Sequence, residues 1–148
     1  MLLEGRSSHV HKTKILIIDD SAMMRSALRK FLEDEQFTVC GEAEDGLIGI
    51  EKAKELSPDL IFLDFSMPGM NGAAAAPILK RALPKVPIIL FTMHDRNVAK
   101  ILTASHSVDR VLPMPSDLSE ILNCIRSLLP LTYAVVCVAS SIATYLSS

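Results

Sequence analysis

Three aspartates carry the chemistry open to this chain: the adjacent pair Asp19 and Asp20, and Asp64 much further on. Each stands where an apolar run stops. Ile15-Leu16-Ile17-Ile18 runs into Asp19-Asp20, and Leu60-Ile61-Phe62-Leu63 runs into Asp64. A carboxylate at the end of a buried strand must be solvated, paired or bound to a cation, because burying it bare is costly. Three that converge offer hard oxygen ligands to a divalent ion such as Mg²⁺. One of them can also serve as a nucleophile, since carboxylates attack phosphorus to give an aspartyl phosphate. Mg²⁺ would bridge the carboxylate and phosphoryl oxygens and screen their repulsion. Thr92 follows Ile88-Ile89-Leu90-Phe91 directly, so its hydroxyl is placed to help hold a phosphoryl group.

Such side chains need a scaffold that gathers strand ends. Short, largely apolar runs predict strands over residues 14–18, 37–40, 60–63, 87–91 and 108–112, each expected to be buried on both faces. Helical spacing appears in Met24, Leu28, Phe31 and Leu32, in Val98, Ile101 and Leu102, and in Leu118, Ile121, Leu122, Ile125 and Leu129. Asp117 and Glu120 open that last helix with a capping-box pattern. A helix over 72–83 is alanine-rich, but Pro77 is expected to kink it or delay its start. Five βα units imply an α/β, doubly wound fold: one parallel sheet, helices on both faces, right-handed crossovers. In such folds the functional site lies beyond the C-terminal strand ends. If the first and third strands are neighbours, the three carboxylates converge there.

Composition narrows the function classes. The chain has 148 residues, enough for one domain with a real core. Its net charge is −2 without a Lys/Arg run, which argues against direct nucleic-acid contact. Cys40, Cys124 and Cys137 are odd in number, far apart and without a CxxC pair, so reduced thiols in a cytoplasmic protein are expected. Residues 1–13 lack an apolar signal core and are expected to be a mobile polar lead-in; His9 and His11 there are candidate metal contacts at most. Residues 130–148 form a hydrophobic C-terminal tail, with no charge after Arg126. The stretch 128–146 approaches the ~20 residues that cross a bilayer as a helix, and Arg126 on the domain side suits a cytoplasmic domain. Its Pro, Ser and Thr content fits better with a segment packed on this domain or on a second copy, as in a homodimer. A disordered extension is the third option. The length leaves no room for a DNA-binding output domain.

Ile17-Ile18-Asp19-Asp20-Ser21, Leu63-Asp64-Phe65-Ser66-Met67-Pro68-Gly69-Met70-Asn71-Gly72 and Phe91-Thr92, in that order, closely resemble the receiver domain of bacterial two-component response regulators. The likeness runs over about residues 14–129 and points to the stand-alone, chemotaxis-type form. It implies a flavodoxin-like (βα)5 fold with strand order 2-1-3-4-5. It implies that Asp64 accepts a phosphoryl group from a histidine kinase or phosphotransfer protein. Asp19 and Asp20 would position Mg²⁺, with Asp20, Asp64 and the Ser66 backbone carbonyl as ligands, and Thr92 would be the switch hydroxyl. Catalysis would be limited to self-phosphorylation and autodephosphorylation, and output would pass by protein contact to a downstream partner the sequence does not name. The rival for each strand-end aspartate is a helix cap, a role open here to Asp20 or Ser21.

The chain also departs from that family. A lysine usually precedes the proline at the end of the fifth strand, where its ammonium pairs with phosphoryl oxygens. Met114 stands in that slot, with the length of the lysine stem but no charge and no donor. No substitute cation is evident nearby in the sequence. The switch aromatic is Val111, and the small residue of the preceding turn is Ser107, beside His106. His94 lies where the family tunes dephosphorylation, though an exposed loop residue is the plainer reading. Met114 and Val111 therefore raise an alternative: a degenerate receiver acting as a phosphorylation-independent interaction module. A haloacid-dehalogenase-type phosphatase fits poorly, since that pattern needs Asp-x-Asp after the first strand.

Overall fold

A computed structural model describes residues 11–93, 96–129 and 146. Strands and helices alternate: β1 Lys14–Ile18, α1 Ala22–Asp34, β2 Thr38–Ala43, α2 Gly46–Leu56, β3 Leu60–Asp64, α3 Gly72–Ala82, β4 Ile88–Thr92, α4 Arg96–Ala104, β5 Arg110–Pro113 and α5 Leu118–Leu128. All strand pairs are parallel, in the order β2-β1-β3-β4-β5. This is the doubly wound, flavodoxin-like (βα)5 architecture that the resemblance implied.

Alternation along the central strands builds two cores. Leu16, Ile18, Ile61, Leu63, Ile88 and Leu90 face α2, α3 and α4. Ile15, Ile17, Leu60, Phe62, Ile89 and Phe91 face α1 and α5, with Phe62 and Phe91 stacked at 4.9 Å. Strands covered on both faces need apolar residues throughout, so β1, β3 and β4 stand out in the sequence.

The edges are where sequence and structure part. β2 lies at Thr38–Ala43 rather than 37–40, and β5 at Arg110–Pro113 rather than 108–112. Both are edge strands and only partly covered, so an unbroken apolar run does not mark them. Helix α2 was not singled out, because Gly46 and Gly49 weaken its pattern. Gly49 is needed where the helix lies against β1: a Cβ there would sit 2.5 Å from Ile18 Cδ1. Pro77 sits inside α3 without delaying its start at Gly72, because Ala75, Ala76 and Leu79 bury that helix against the sheet. Ile101 leaves the expected α4 stripe and is 66% exposed, while Leu102 is buried. Leu118 is likewise exposed; Ile121 and Ile125 carry the α5 contact. The capping box of Asp117 and Glu120 forms as read.

Cys40 and Cys124 are half-buried free thiols, and burial raises both of their pKa values. Among the described residues no helix is long and apolar enough to cross a membrane. His9, His94, Cys137 and the tail at 130–148 (position 146 apart) lie outside the described residues.

Candidate acidic site at the strand ends

The register of the sheet assembles the site. Ile18 pairs with Leu63, so the next residues, Asp19 and Asp64, leave adjacent strands side by side. Asp20 follows in the turn to α1. Oxygens of Asp19, Asp20 and Asp64 all lie within 4.8 Å of one another. This trio floors a cleft of ≈ 510 Å³ whose walls include Met24, Phe65, Phe91, Met93 and Met114.

Two of the three carboxylates, those of Asp19 and Asp64, are held by local backbone. The Asp19 N–H donates to the Ala43 carbonyl at 3.0 Å, and Asp19 Oδ1 accepts from the Ser21 N–H at 2.8 Å. Ser21 caps α1, its Oγ accepting from the Met24 N–H at 3.2 Å. The cap is thus Ser21, which leaves the Asp20 carboxylate to the cleft. Asp64 Oδ1 accepts from the Ser66 N–H at 3.2 Å, and the Phe65 N–H donates to the Phe91 carbonyl at 2.9 Å. Beyond it the loop turns through Gly69 at φ 74°, which favours glycine. Asn71 caps α3, and Gly72 packs directly on the Asp64 carbonyl, where any Cβ would collide with backbone.

The electrostatics follow from this crowding. Burial, then the charge of Asp19, pushes Asp64 from 3.8 up to about 6; the Ser66 N–H opposes the rise, and Asp20 adds to it. Asp19, only 6% exposed, is raised mainly by burial, with the Ser21 N–H opposing, Asp20 adding and Arg25 opposing. Three like charges in a half-buried pocket favour a cation or a proton. No Lys, Arg or His lines the cleft among the described residues.

Of the residues singled out in the sequence, Asp19, Asp20, Asp64, Ser66 and Met114 meet at this cleft. Thr92 ends β4 and is 5% exposed; it lies between the lining residues Phe91 and Met93 without lining the cleft itself. Its carbonyl accepts from the Met114 N–H at 2.9 Å. Val111 is half-buried and packs toward the α2–α3–α4 layer. Arg25 was missed. It is a cation beside the acidic trio but no substitute for the lysine, because it stands outside the cleft lining: its Nη1 donates to the Asp19 carbonyl at 2.7 Å. Its place early in the helix after the aspartate pair was the available signal, since helix residues one turn in can reach back to the preceding strand end.

Comparison with known proteins agrees with this geometry. The family model of the response regulator receiver domain matches residues 15–126. A protein-glutamate methylesterase/protein-glutamine glutaminase from Maricaulis maris is 43% identical over 101 residues, covering 67% of this chain and 25% of the relative. The response regulator protein VraR of Staphylococcus saprophyticus is 34% identical over 116 residues, 76% of this chain and 54% of that protein. The chain therefore spans a minor part of the methylesterase and about half of VraR. The crystal structure of the response regulator domain of Thermotoga maritima CheB superposes with a TM-score of 0.70 at 29% identity, covering 79% of this chain and 96% of that one.

Proposed function

The chain belongs to the response regulator receiver domains of two-component systems, and from that premise we propose that Asp64 accepts a phosphoryl group from a histidine kinase or phosphotransfer protein. The observation that carries this reading is the convergence of three carboxylates within 4.8 Å at neighbouring strand ends. Hard oxygens at that spacing fit Mg²⁺. Asp19, Asp20, Asp64 and the Ser66 carbonyl would hold it. Once bound, Mg²⁺ supplies the charge that screens the attacking carboxylate from the phosphoryl oxygens.

Asp64 suits the nucleophile's role. It opens onto the cleft, its strand end is tied to β4, and one oxygen is steadied by Ser66. In-line attack forms the Asp64 O–P bond as the N–P bond of a phosphohistidine breaks, and the imidazole leaves with the electron pair. Thr92, which ends β4 between the lining residues Phe91 and Met93, would serve as the switch hydroxyl. Output passes by protein contact, from a domain of residues 14–129 working in the cytoplasm. The activity in the methylesterase relative's name is that protein's own.

A second reading draws on Met114. It lines the cleft where the family has a lysine, so the phosphoryl group meets a thioether in place of an ammonium. A charge-assisted hydrogen bond of about 1.5–3 kcal/mol is forgone. On that reading the domain binds its partner without phosphate. Incubation with Mg²⁺ and acetyl phosphate, followed by intact mass, separates the two. The first reading expects one phosphoryl adduct that Asp64→Asn abolishes; absence of any adduct, with a cognate kinase as well, would leave the second.

A further inference from the structure

We propose that Arg25 is a positioning residue for the acidic site, acting through the backbone of Asp19, and that Glu42 serves only to hold it. This rests on the Mg²⁺ site just described.

Arg25 does not line the cleft; it stands behind it. Its Nη1 donates to the Asp19 carbonyl at 2.7 Å, while its Nε lies 3.3 Å from Glu42 Oε1. The side chain is 18% exposed. Glu42 is itself anchored: its Oε2 receives Arg29 Nε at 2.8 Å and Nη2 at 2.7 Å, and its carbonyl receives Lys52 Nζ. One guanidinium thus bridges the end of β1 to the end of β2, with a single donor, Nη1, on the Asp19 carbonyl.

The consequence falls on Asp19. Its N–H is tied to Ala43, its carbonyl to Arg25, and its carboxylate to the Ser21 N–H. Remove the Arg25 bond and the peptide joining Asp19 to Asp20 gains a rotation. That one peptide orients two of the three carboxylates. Groups that orient metal ligands in this way typically change metal affinity by about 10–100-fold. Pure electrostatics predicts the reverse sign, because a nearby cation repels Mg²⁺ and its removal would tighten binding. The two effects can therefore be told apart by direction.

The test measures Mg²⁺ binding by calorimetry in four full-length proteins: wild type, Arg25→Ala, Arg25→Lys and Glu42→Gln. We expect Arg25→Ala to weaken Mg²⁺ about tenfold. Arg25→Lys keeps a donor for the Asp19 carbonyl and should recover most of the loss. Glu42→Gln breaks the ion pair, leaves the Asp19 bond, and should change binding less than about threefold. If Arg25→Ala does not fold, the Lys and Gln variants decide: a larger loss in Glu42→Gln than in Arg25→Lys overturns the assignment. Unchanged or tighter binding in Arg25→Ala overturns it too. No Mg²⁺ binding by wild type would instead defeat the metal site on which it rests.

Discussion

Replacing Asp64 with asparagine should stabilise the metal-free domain near neutral pH. In the folded chain this carboxyl is raised from 3.8 to about 6, first by burial and then by the charge of Asp19. Its folded pKa is above its unfolded one, so the folded state favours the proton. The stability it contributes is complete below about pH 4 and is lost as pH rises through about 6. At about 1.4 kcal/mol per pKa unit that loss has a ceiling near 3 kcal/mol. Asp64 is only partly buried and opens onto the cleft, and solvent screening reduces the figure to about 1–2 kcal/mol. Asparagine keeps the shape and an acceptor for the Ser66 N–H without the charge. Thermal unfolding in EDTA, followed by circular dichroism, should show Asp64→Asn melting about 4–8 °C higher near neutral pH. The gap should close below about pH 4 and shrink when Mg²⁺ is added to both proteins. A melting point unchanged or lowered near neutral pH would refute the claim that like charges strain this pocket.

Other consequences follow from the same geometry. Met114→Lys puts an ammonium on a cleft wall that lacks one, so the acetyl phosphate adduct should persist about tenfold longer in a mass-spectrometric decay; an unchanged lifetime would show that the thioether is not the weak point. Gly72→Ala forces a Cβ against the Asp64 carbonyl, and should cost about 1–3 kcal/mol in urea denaturation while weakening Mg²⁺. Truncation at Pro130 should leave the sheet and Mg²⁺ binding intact, read by circular dichroism and calorimetry. A sixth parallel strand beside β5 would need a left-handed crossover, because α5 lies on the α1 face, the face used to step the other way from β1 to β2.

Legibility in the sequence followed burial. The apolar runs ending in Asp19 and Asp64 could be read because β1, β3 and β4 are covered on both faces, and their register made the acidic trio foreseeable. The limits of β2 and β5 could not be read in the same way, since an edge strand tolerates Gly41, Glu42 and Arg110. Helix α2 hid because its contact with β1 is made by a glycine, which carries no hydrophobic signal. Met24 showed its helical period but not that the first turn of α1 overhangs the cleft. Arg25, signalled only by its place early in α1, was missed for a different reason. Its bond is to a main-chain carbonyl, and a pattern of residue types records no backbone partner.

The most direct measurement of the central claim is the position of the phosphoryl group. After incubation with Mg²⁺ and acetyl phosphate, borohydride reduction converts an aspartyl phosphate to homoserine, which tandem mass spectrometry of the peptides can place. We predict homoserine at position 64 alone, absent when EDTA replaces Mg²⁺. Homoserine at position 19 or 20 instead, or at position 64 with no need of the metal, would contradict the account.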